Sequence, residues 1–250
     1  MAQVQMKRDI PIQKPGAIML SMQELQWYKL SIAANNLSNA STPGFKSQIV
    51  LVEEARLKNK DHKAVSFVKS GGIVRDLTTG PIKGTGNPLD VAISGSGYFM
   101  VATPSGRRYT RNGQFLVSDQ GILVTSAGQS VLNQSGSEIL LPRDLKQISI
   151  AEDGTLSNNG VTFGKLGVAS FKDENALSAE GNTLYKTDQD PVPAVYFKLT
   201  QGAIEDSNVS PMQESIRLME ILRLFENAQK VIEDYEQILK KTINASSRNS

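Results

Sequence analysis

Two glycine-rich segments come nearest, in residue type and spacing, to the loops that carry catalysis or phosphate binding. They are Gly84-Thr85-Gly86 and Ser94-Gly95-Ser96-Gly97. A phosphate-binding loop needs Gly-x-Gly-x-x-Gly between a strand and a helix, or a Gly-Lys-Ser/Thr ending, and neither segment has one. The Gly-x-Ser-x-Gly motif of a nucleophilic serine is also missing, because position 94 is serine. We therefore expect both segments to form tight turns.

The titratable residues suggest neither a metal site nor an acid–base pair. His62 is the only histidine, it lies in the polar stretch 58–63, and the chain has no cysteine. A metal site needs several such ligands, so His62 is expected to be a solvated loop residue. Asp90, Asp144 and Asp153 lie beside turn or strand signals, where hydrogen bonding within the turn is the ordinary role. The sequence predicts no catalytic, cofactor-binding or metal site, and a protein that is not an enzyme.

Charge and hydropathy exclude several classes of partner. The chain has 27 Lys and Arg against 25 Asp and Glu, and its net charge of +2 is dispersed. We expect no nucleic-acid partner, because phosphate binding needs a concentrated basic surface. Residues 10–16 interrupt the apolar stretch that a cleaved signal peptide requires. The longest apolar runs, such as Ile49–Val52, are far shorter than the roughly 20 residues of a membrane-spanning helix.

The first predicted secondary-structure element is an amphipathic helix from residue 17 to residue 39. It follows an N-terminal extension over residues 1–16. Its apolar residues are spaced mostly three or four apart, as one face of a helix requires. They are Ile18, Met22, Leu25, Tyr28, Ile32 and Leu37. The segment Ser41–Gly44 ends the helix near Ala40, because proline disfavours helical geometry in the residue before it.

A second helix is predicted within residues 208–243, followed by a polar tail over 244–250. Pro211 suits its first position, Ser210 can cap it, and Glu214 and Arg217 begin its polar face. Its apolar residues alternate three and four apart, which is the heptad pattern of a coiled coil. These residues, called the predicted seam below, are Leu218, Ile221, Phe225, Ala228, Ile232, Tyr235 and Leu239.

The middle of the chain, residues 45–207, reads as β structure. Short β-branched or alternating runs are separated by glycine-containing turns. The runs are Val65–Val68, Val91–Ile93, Tyr98–Ala102, Ile148–Ile150 and Val195–Leu199. Asn112-Gly113 and Asp153-Gly154 predict hairpins with type I′ turns, because these pairs tolerate positive φ at both central positions.

The predicted fold class is therefore α+β, with N- and C-terminal helices that pair as an antiparallel coiled coil and enclose a β-rich central domain. A pair of helices leaves apolar flanks exposed, so we expect the remainder to be buried between subunits. The alternative is that both helices simply cover the β domain, and periodicity alone does not separate the two.

Three blocks of sequence resemble the flagellar basal-body rod protein family, and together they span about residues 17 to 243. The first is Ile32–Lys46, which is similar to the ANNLAN-x-x-TPGFK signature at the start of rod and hook proteins. The second resembles the shared β domain, and the third is similar to the SNVNP-type start of the C-terminal helix. The second block comprises 86–101, 109–115 and 121–125, and the third is 207–211. Within the family, proximal rod proteins are resembled most and distal rod proteins are near neighbours.

The resemblance implies a structural, axial protein of the bacterial flagellum that contributes to motility. Its subunits would leave the cell through the flagellar type III export apparatus without signal cleavage. They would then join other rod proteins and their own copies in the periplasm, in a helical tube that carries torque from motor to hook. Distal rod or hook-type axial proteins are the alternative within the family. A secreted β-rich enzyme or binding module is the alternative outside it, and would need a pocket with converging polar groups.

The residues expected to pack in this assembly come from both helices. Leu25, Ile32, Leu37, Leu218, Phe225, Ile232 and Leu239 are the apolar ones. Asn35, Asn36 and Asn39 allow two interpretations. They could serve the helix terminus, where asparagine competes well for backbone hydrogen bonds, or they could bridge neighbouring subunits and fix their register.

Overall fold

The structure, a computed structural model, describes residues 13–58, 64–142, 148–181 and 183–248. His62 and Asp144, whose roles the sequence analysis considered, lie outside these residues, as do residues 1–12. The chain divides into two compact units. The helical unit draws on Met1–Asn35, Gln48–Val74 and Pro211–Ser250. The β unit comprises Asn36–Ser47 and Arg75–Ser210.

The helical unit contains two long helices and a two-stranded sheet within its described residues. Helix α1 is Gln13–Ser38, strands β1 and β2 are Gln48–Lys58 and Ala64–Arg75, and helix α2 is Pro211–Arg248. Helix α1 begins before the predicted residue 17, because Pro15 falls in its first turn, where the missing N–H costs no intrahelical hydrogen bond. Helix α2 starts at Pro211 as predicted and continues beyond residue 243.

The β unit consists of short strands joined by tight turns. Its strands are β3 (Ile82–Gly84), β4 (Val91–Gly95), β5 (Tyr98–Thr103), β6 (Gly106–Thr110), β7 (Phe115–Val117), β8 (Leu123–Thr125), β9 (Ser130–Val131), β10 (Ile148–Ile150), β11 (Thr155–Asn158), β12 (Val161–Lys165), β13 (Val168–Ser170), β14 (Ser178–Ala179), β15 (Leu184–Lys186), β16 (Val192–Pro193), β17 (Phe197–Gln201) and β18 (Ala203–Glu205). A 3-10 turn at Glu174–Ala176 precedes β14.

Among the described residues, the largest sheet of the β unit has the order β14-β15-β6-β5-β9-β8-β7, with β13 and β16 joined to it through β5. Strands β10, β11 and β12 form a smaller antiparallel sheet. Two further pairs, β4 with β17 and β3 with β18, join the beginning of the unit to its end. The α+β class with a β-rich core and a helix at each end of the chain is thus confirmed.

Strand β5 lies at the centre of the β unit, with a core on each of its faces. Side chains alternate across a strand, so Phe99 and Val101 enter one core cluster while Tyr98 and Met100 enter the other. Phe99 packs edge to face on Phe115, with ring centroids 5.0 Å apart. Because both faces are covered, the strand is apolar from Phe99 to Ala102 instead of alternating.

The hairpins differ in part from the prediction. Asp153-Gly154 does join the antiparallel pair β10–β11, but φ is positive only at Gly154, so the turn is not type I′. The hairpin predicted at Asn112-Gly113 is wrong, because β6 and β7 pair with other strands. The sequence signal for a type I′ turn lies instead at Asn159-Gly160, with φ of 50° and 80°, between β11 and β12.

Gly113 serves close backbone contact instead of a turn. Its carbonyl oxygen accepts a hydrogen bond from the Val91 amide at 3.0 Å. A Cβ at this position would lie 1.7 Å from the Val91 carbonyl oxygen. Glycine is therefore required because the backbone of β4 passes directly against it.

Candidate assembly surface

The apolar residues predicted to pack in the N-terminal helix are removed from solvent to different degrees. Leu25 and Ile32, one heptad apart, are buried, and Leu37 is half-buried. Ala33 is buried beside them. Burial follows the predicted stripe at Leu25 and Ile32 but not at Met22, which is 45% exposed.

In α2 the predicted seam is mostly half-buried. Ile221 is buried, whereas Leu218, Phe225 and Ile232 keep part of their surface in contact with solvent. Leu239 lies within α2, but its side chain is outside the described set. A stripe of large apolar side chains that stay partly exposed would gain stability if another protein surface covered it.

Trp27 provides an aromatic contact between the two helices that the sequence analysis did not single out. Its ring meets that of Phe225 edge to face, with centroids 5.7 Å apart and planes at 82°. Despite this contact, Trp27 remains 59% exposed. Trp27 is the only tryptophan in the chain and lies shortly before Asn35 and Asn36. The sequence therefore shows where it lies in the helix but does not predict its contact with Phe225.

A second apolar stripe runs along α2 beside the predicted seam and was also missed. It consists of Leu224, Val231 and Ile238, spaced seven residues apart, and is called the outer stripe below. All three are about half exposed, at 53%, 49% and 60%. Seven-residue spacing keeps side chains on one line of a helix and is the pattern that another helix can contact. Further exposed apolar residues of α2 are Met212, Ile216, Met219 and Leu222.

Glu214 was expected to begin the polar face of α2, and this prediction is wrong. It is buried and accepts a hydrogen bond from Arg217 Nη1 at 2.6 Å, one helical turn further on. An acidic residue in the first turn is favoured by the helix dipole, which accounts for its place in the sequence but not for its burial.

The three asparagines occupy different environments. Asn35 is exposed, Asn36 is fully buried and Asn39 is half-buried. Asn39 Oδ1 accepts a hydrogen bond from Thr42 Oγ1 at 3.2 Å, and the Asn39 backbone carbonyl accepts one from the Thr42 amide. Asn39 thus has the contacts expected of a residue that ends a helix. Bridging between subunits stays a prediction for Asn35, Asn36 and Asn39.

A buried ionic cluster in the β unit explains why the turn after α1 ends in Gly-Phe-Lys. Lys46 Nζ lies 2.6 Å from Glu205 Oε1 and donates to the Thr78 carbonyl at 2.6 Å. Arg111 Nη1 lies 3.4 Å from Glu205 Oε2, and its Nη2 donates to the Gly95 carbonyl at 2.8 Å. All three charged side chains are at most 3% exposed. The cluster joins the beginning of the β unit to its end.

Burial lowers the pKa of Lys46 from its ordinary value, and the adjacent carboxylate of Glu205 opposes that shift. Tyr98, whose ring stacks against the Arg111 guanidinium at 5.1 Å, has its pKa raised by burial. Both shifts come mainly from burial, and both groups have partners: Lys46 pairs with Glu205, and the Tyr98 hydroxyl donates to Glu174 Oε2 at 3.0 Å. Perturbed pKa values here mark packing instead of catalysis.

Gly44 allows the chain to reach this cluster. Its φ is +70°, its amide donates to the Glu205 carbonyl at 2.8 Å, and a Cβ would lie 2.5 Å from the carbonyl carbon of Arg111. Any other residue at this position would strain the backbone, because φ is positive, and its Cβ would also clash with the backbone of Arg111.

We expect Gly44→Ala to destabilise the β unit more than Gly128→Ala does. Gly128 has a similar φ of +80° but open space around it, so it isolates the conformational cost of about 1–2 kcal/mol. Gly44→Ala adds an overpacking cost of about 1–3 kcal/mol. Urea unfolding of both variants, followed by tyrosine near-UV circular dichroism, measures the difference. Equal midpoints would show that the space around Gly44 does not matter.

The candidate chemical residues named from the sequence take structural roles where the structure describes them. Thr85 and Gly86 donate backbone hydrogen bonds to Gly202, and Ser96 donates one to Tyr196. Asp90 accepts from Asn87, and Asp153 accepts from Thr155 and Lys165. Within the described residues no three His, Asp or Glu side chains group as metal ligands would. No helix in the described part of the chain is long and apolar enough to cross a membrane.

A cavity of about 210 Å³ in the β unit is lined by neutral side chains. Its walls are Thr42, Thr110, Asn112, Thr125, Ser126, Ala127, Gln129, Thr183 and Leu184. None of these side chains titrates near neutral pH. The cavity therefore lacks the perturbed acid or base that a catalytic pocket would need.

Comparison with family models gives three matches in order along the chain. Residues 24–46 match the model "Flagella basal body rod protein", which includes Trp27, Gly44 and Lys46. Residues 92–158 match "Flagellar hook protein FlgE/F/G D1 domain". Residues 200–245 match "Flagellar basal body rod FlgEFG protein C-terminal", which includes the predicted seam and the outer stripe.

Curated relatives resemble the chain over most of its length. The flagellar basal-body rod protein FlgF of Caulobacter vibrioides is 35% identical over 230 residues, which is 90% of this chain and 94% of the relative. FlgF of Rhizobium meliloti is 32% identical and covers 90% of this chain and 95% of its own length. FlgG of Bacillus subtilis is 30% identical, with 86% and 92% covered.

Proposed function

This chain belongs to the flagellar basal-body rod protein family and is a structural subunit of the rod, and we propose that its two terminal helices carry the assembly contacts. In this proposal α1 and α2 pair with each other as a coiled coil. The apolar surface that remains is buried against other rod proteins and further copies of the chain. The family is one of structural proteins, so the function is mechanical and needs no catalytic residue.

The observation that carries this proposal is the exposed apolar surface of the helical unit. Trp27, Met22 and the outer stripe Leu224, Val231 and Ile238 are all exposed large side chains on two helices. Isolated apolar residues on a surface are ordinary, but a line of them at heptad spacing is not. Such a line gains stability when a neighbouring helix covers it.

Pairing of the two helices is supported by the ring contact between Trp27 and Phe225. An edge-to-face aromatic pair adds about 0.5–1.5 kcal/mol beyond the area it buries. The half-buried seam residues Leu218, Phe225 and Ile232 agree with a pair of helices that is incomplete in a single chain. We assign Leu25, Ile32, Leu37 and the predicted seam to this packing.

Localisation follows from the same assignment. The chain is a basal-body protein by family, and we place it in the periplasmic part of the rod. We further propose that it is exported through the flagellar type III apparatus without signal cleavage, and that the finished helical tube transmits torque from motor to hook. Higher identity to FlgF relatives, at 35% and 32%, than to the FlgG relatives, at up to 30%, favours the proximal over the distal rod.

Electron microscopy of basal bodies from a strain that lacks this gene tests the proposal. We expect rods that stop within their proximal part and carry no hook, and cells that do not swim. A plasmid copy of the unaltered gene should restore both. Complete rods with hooks in the deletion strain would contradict a rod function, and rods that lack only their distal end would move the chain to the distal position.

A further inference from the structure

The chain contains two Asn-Gly pairs, and the structure gives them opposite environments. They are Asn112-Gly113, which precedes β7, and Asn159-Gly160, which joins β11 to β12. In such a pair the backbone nitrogen of the glycine can attack the asparagine side chain, because no Cβ blocks its approach. The attack requires the backbone of the pair to move, so in a folded protein it depends on how easily that segment opens.

The Asn159-Gly160 pair lies at an exposed turn with free space around it. Both residues are exposed, and they form the two-residue turn of a hairpin, with φ of 50° and 80°. A Cβ built on Gly160 would meet no heavy atom within 4 Å outside the adjacent residues. A change of backbone angles at this turn therefore meets little steric resistance.

The strands on either side of this turn hold it weakly. Within the described residues β12 pairs only with β11, so it is an edge strand of its three-stranded sheet. The pairing changes register between Leu156 and Ser157, and Val161, which follows the turn, is 70% exposed. A short, irregular edge ladder with little burial opens locally at low cost. The end of this hairpin can therefore open while the core clusters stay packed.

The Asn112-Gly113 pair is held on both sides. Asn112 is half-buried, its Oδ1 accepts a hydrogen bond from the Gln114 amide at 3.0 Å, and its own amide donates to Thr110 Oγ1 at 3.0 Å. Gly113 is buried, and its carbonyl accepts a hydrogen bond from the Val91 amide at 3.0 Å. The Gly113 nitrogen therefore cannot swing towards the Asn112 side chain unless β4 first separates from it.

From this contrast we propose that Asn159 is a site of spontaneous deamidation in the folded protein and that Asn112 is protected from it. The Gly160 backbone nitrogen loses its proton to solvent hydroxide and bonds to the side-chain carbonyl carbon of Asn159. The bond from that carbon to the side-chain nitrogen breaks, and the nitrogen takes up a proton and leaves as ammonia. Water then opens the resulting succinimide ring at either carbonyl, which gives aspartate or isoaspartate at position 159. The reaction needs no partner, so it is independent of the rod function.

The two products differ in their effect on the hairpin. Aspartate before glycine also suits a type I′ turn, so we expect the aspartate form to keep Asn158 paired with Val161. Isoaspartate carries the main chain through the side-chain carbon, which lengthens the two-residue turn, so we expect this form to lose that pairing. Either product adds a carboxylate and lowers the net charge of +2 by one.

Peptide mapping by mass spectrometry tests the site in the purified full-length chain after incubation at mildly alkaline pH. In native buffer we expect deamidation at position 159 to exceed that at position 112 by at least about tenfold, because the buried glycine reacts only in opened chains. In urea both pairs should react at similar rates. Isoelectric focusing of the native chain should show an acidic form that accumulates with time. The control variant Asn159→Asp, which suits the same turn, should gain no such form.

Three results would overturn the proposal. Equal deamidation of the two pairs in native buffer would show that packing does not protect Asn112. An Asn159 that stays intact in native buffer but reacts in urea would show that the hairpin does not open. Accumulation of the acidic form in Asn159→Asp at the same rate as in the unaltered chain would show that another asparagine reacts.

Discussion

Replacing both Phe225 and Ile232 by aspartate is expected to abolish motility and rod assembly while the β unit still folds. Both residues belong to the half-buried seam of α2, and Phe225 also loses its contact with Trp27. Burial of an unpaired carboxylate costs several kcal/mol, so the variant helices should neither pair nor accept a neighbour. The β unit has its own core clusters and shares no residue with α2.

Swimming in soft agar and electron microscopy of basal bodies measure the first effect, and tyrosine near-UV circular dichroism of the purified variant measures the second. The matched control is Asn227→Asp with Gln229→Asp, which adds the same charge to exposed positions of the same helix. The control should swim normally. Normal swimming of the Phe225→Asp, Ile232→Asp variant would remove the terminal helices from the assembly surface.

Lys46→Met is expected to lower the free energy of unfolding of the β unit by about 3–5 kcal/mol. Methionine has a similar length to lysine but no charge. Glu205 then stays buried, and its remaining partners are Arg111 at 3.4 Å and the Gly80 amide at 3.1 Å. The Thr78 carbonyl also loses its charged donor. A buried charge that loses its closest partner costs far more than an exposed one, because water cannot replace the partner.

The matched control is Lys165→Met, which removes the exposed ion pair with Asp153 at 2.9 Å. Such a pair contributes below about 1 kcal/mol. Urea unfolding can be followed through the tyrosine signal of the β unit, since Tyr98, Tyr109 and Tyr185 share one core cluster. A loss of stability no larger in Lys46→Met than in Lys165→Met would show that the buried cluster does not hold the unit together.

Periodicity was enough to predict the elements that depend on local sequence. The heptad spacing of Leu218, Phe225 and Ile232 predicted α2, and Pro211 predicted its start. The Asp153-Gly154 hairpin was confirmed through the pairing of β10 with β11, but its predicted type I′ turn was wrong. The family resemblance is confirmed by the curated relatives. Pairing of the helices as a coiled coil and the packing roles assigned to individual residues stay predictions.

Features that depend on distant residues were not readable from the sequence. Lys46 and Glu205 are 159 positions apart, and charged residues are normally expected at the surface, so their burial had no local signal. Asn112-Gly113 was misassigned because close approach to Val91 and a tight turn favour the same residue type. The contact of Trp27 with Phe225 could not be predicted, because nothing in the sequence relates the two residues.

The first and last segments of the β unit pair with each other, and this pairing determines when the unit can complete its fold. Strand β4 pairs with β17, β3 pairs with β18, and Lys46 meets Glu205, so the unit lacks these contacts until about residue 205 is free. Contacts between residues far apart in sequence form slowly, because a long loop must close first. A chain that leaves a narrow channel with its N-terminus first therefore cannot complete the β unit until about residue 205 has emerged. In the export route proposed above, folding of the β unit would then finish only outside the channel, where the chain joins the rod.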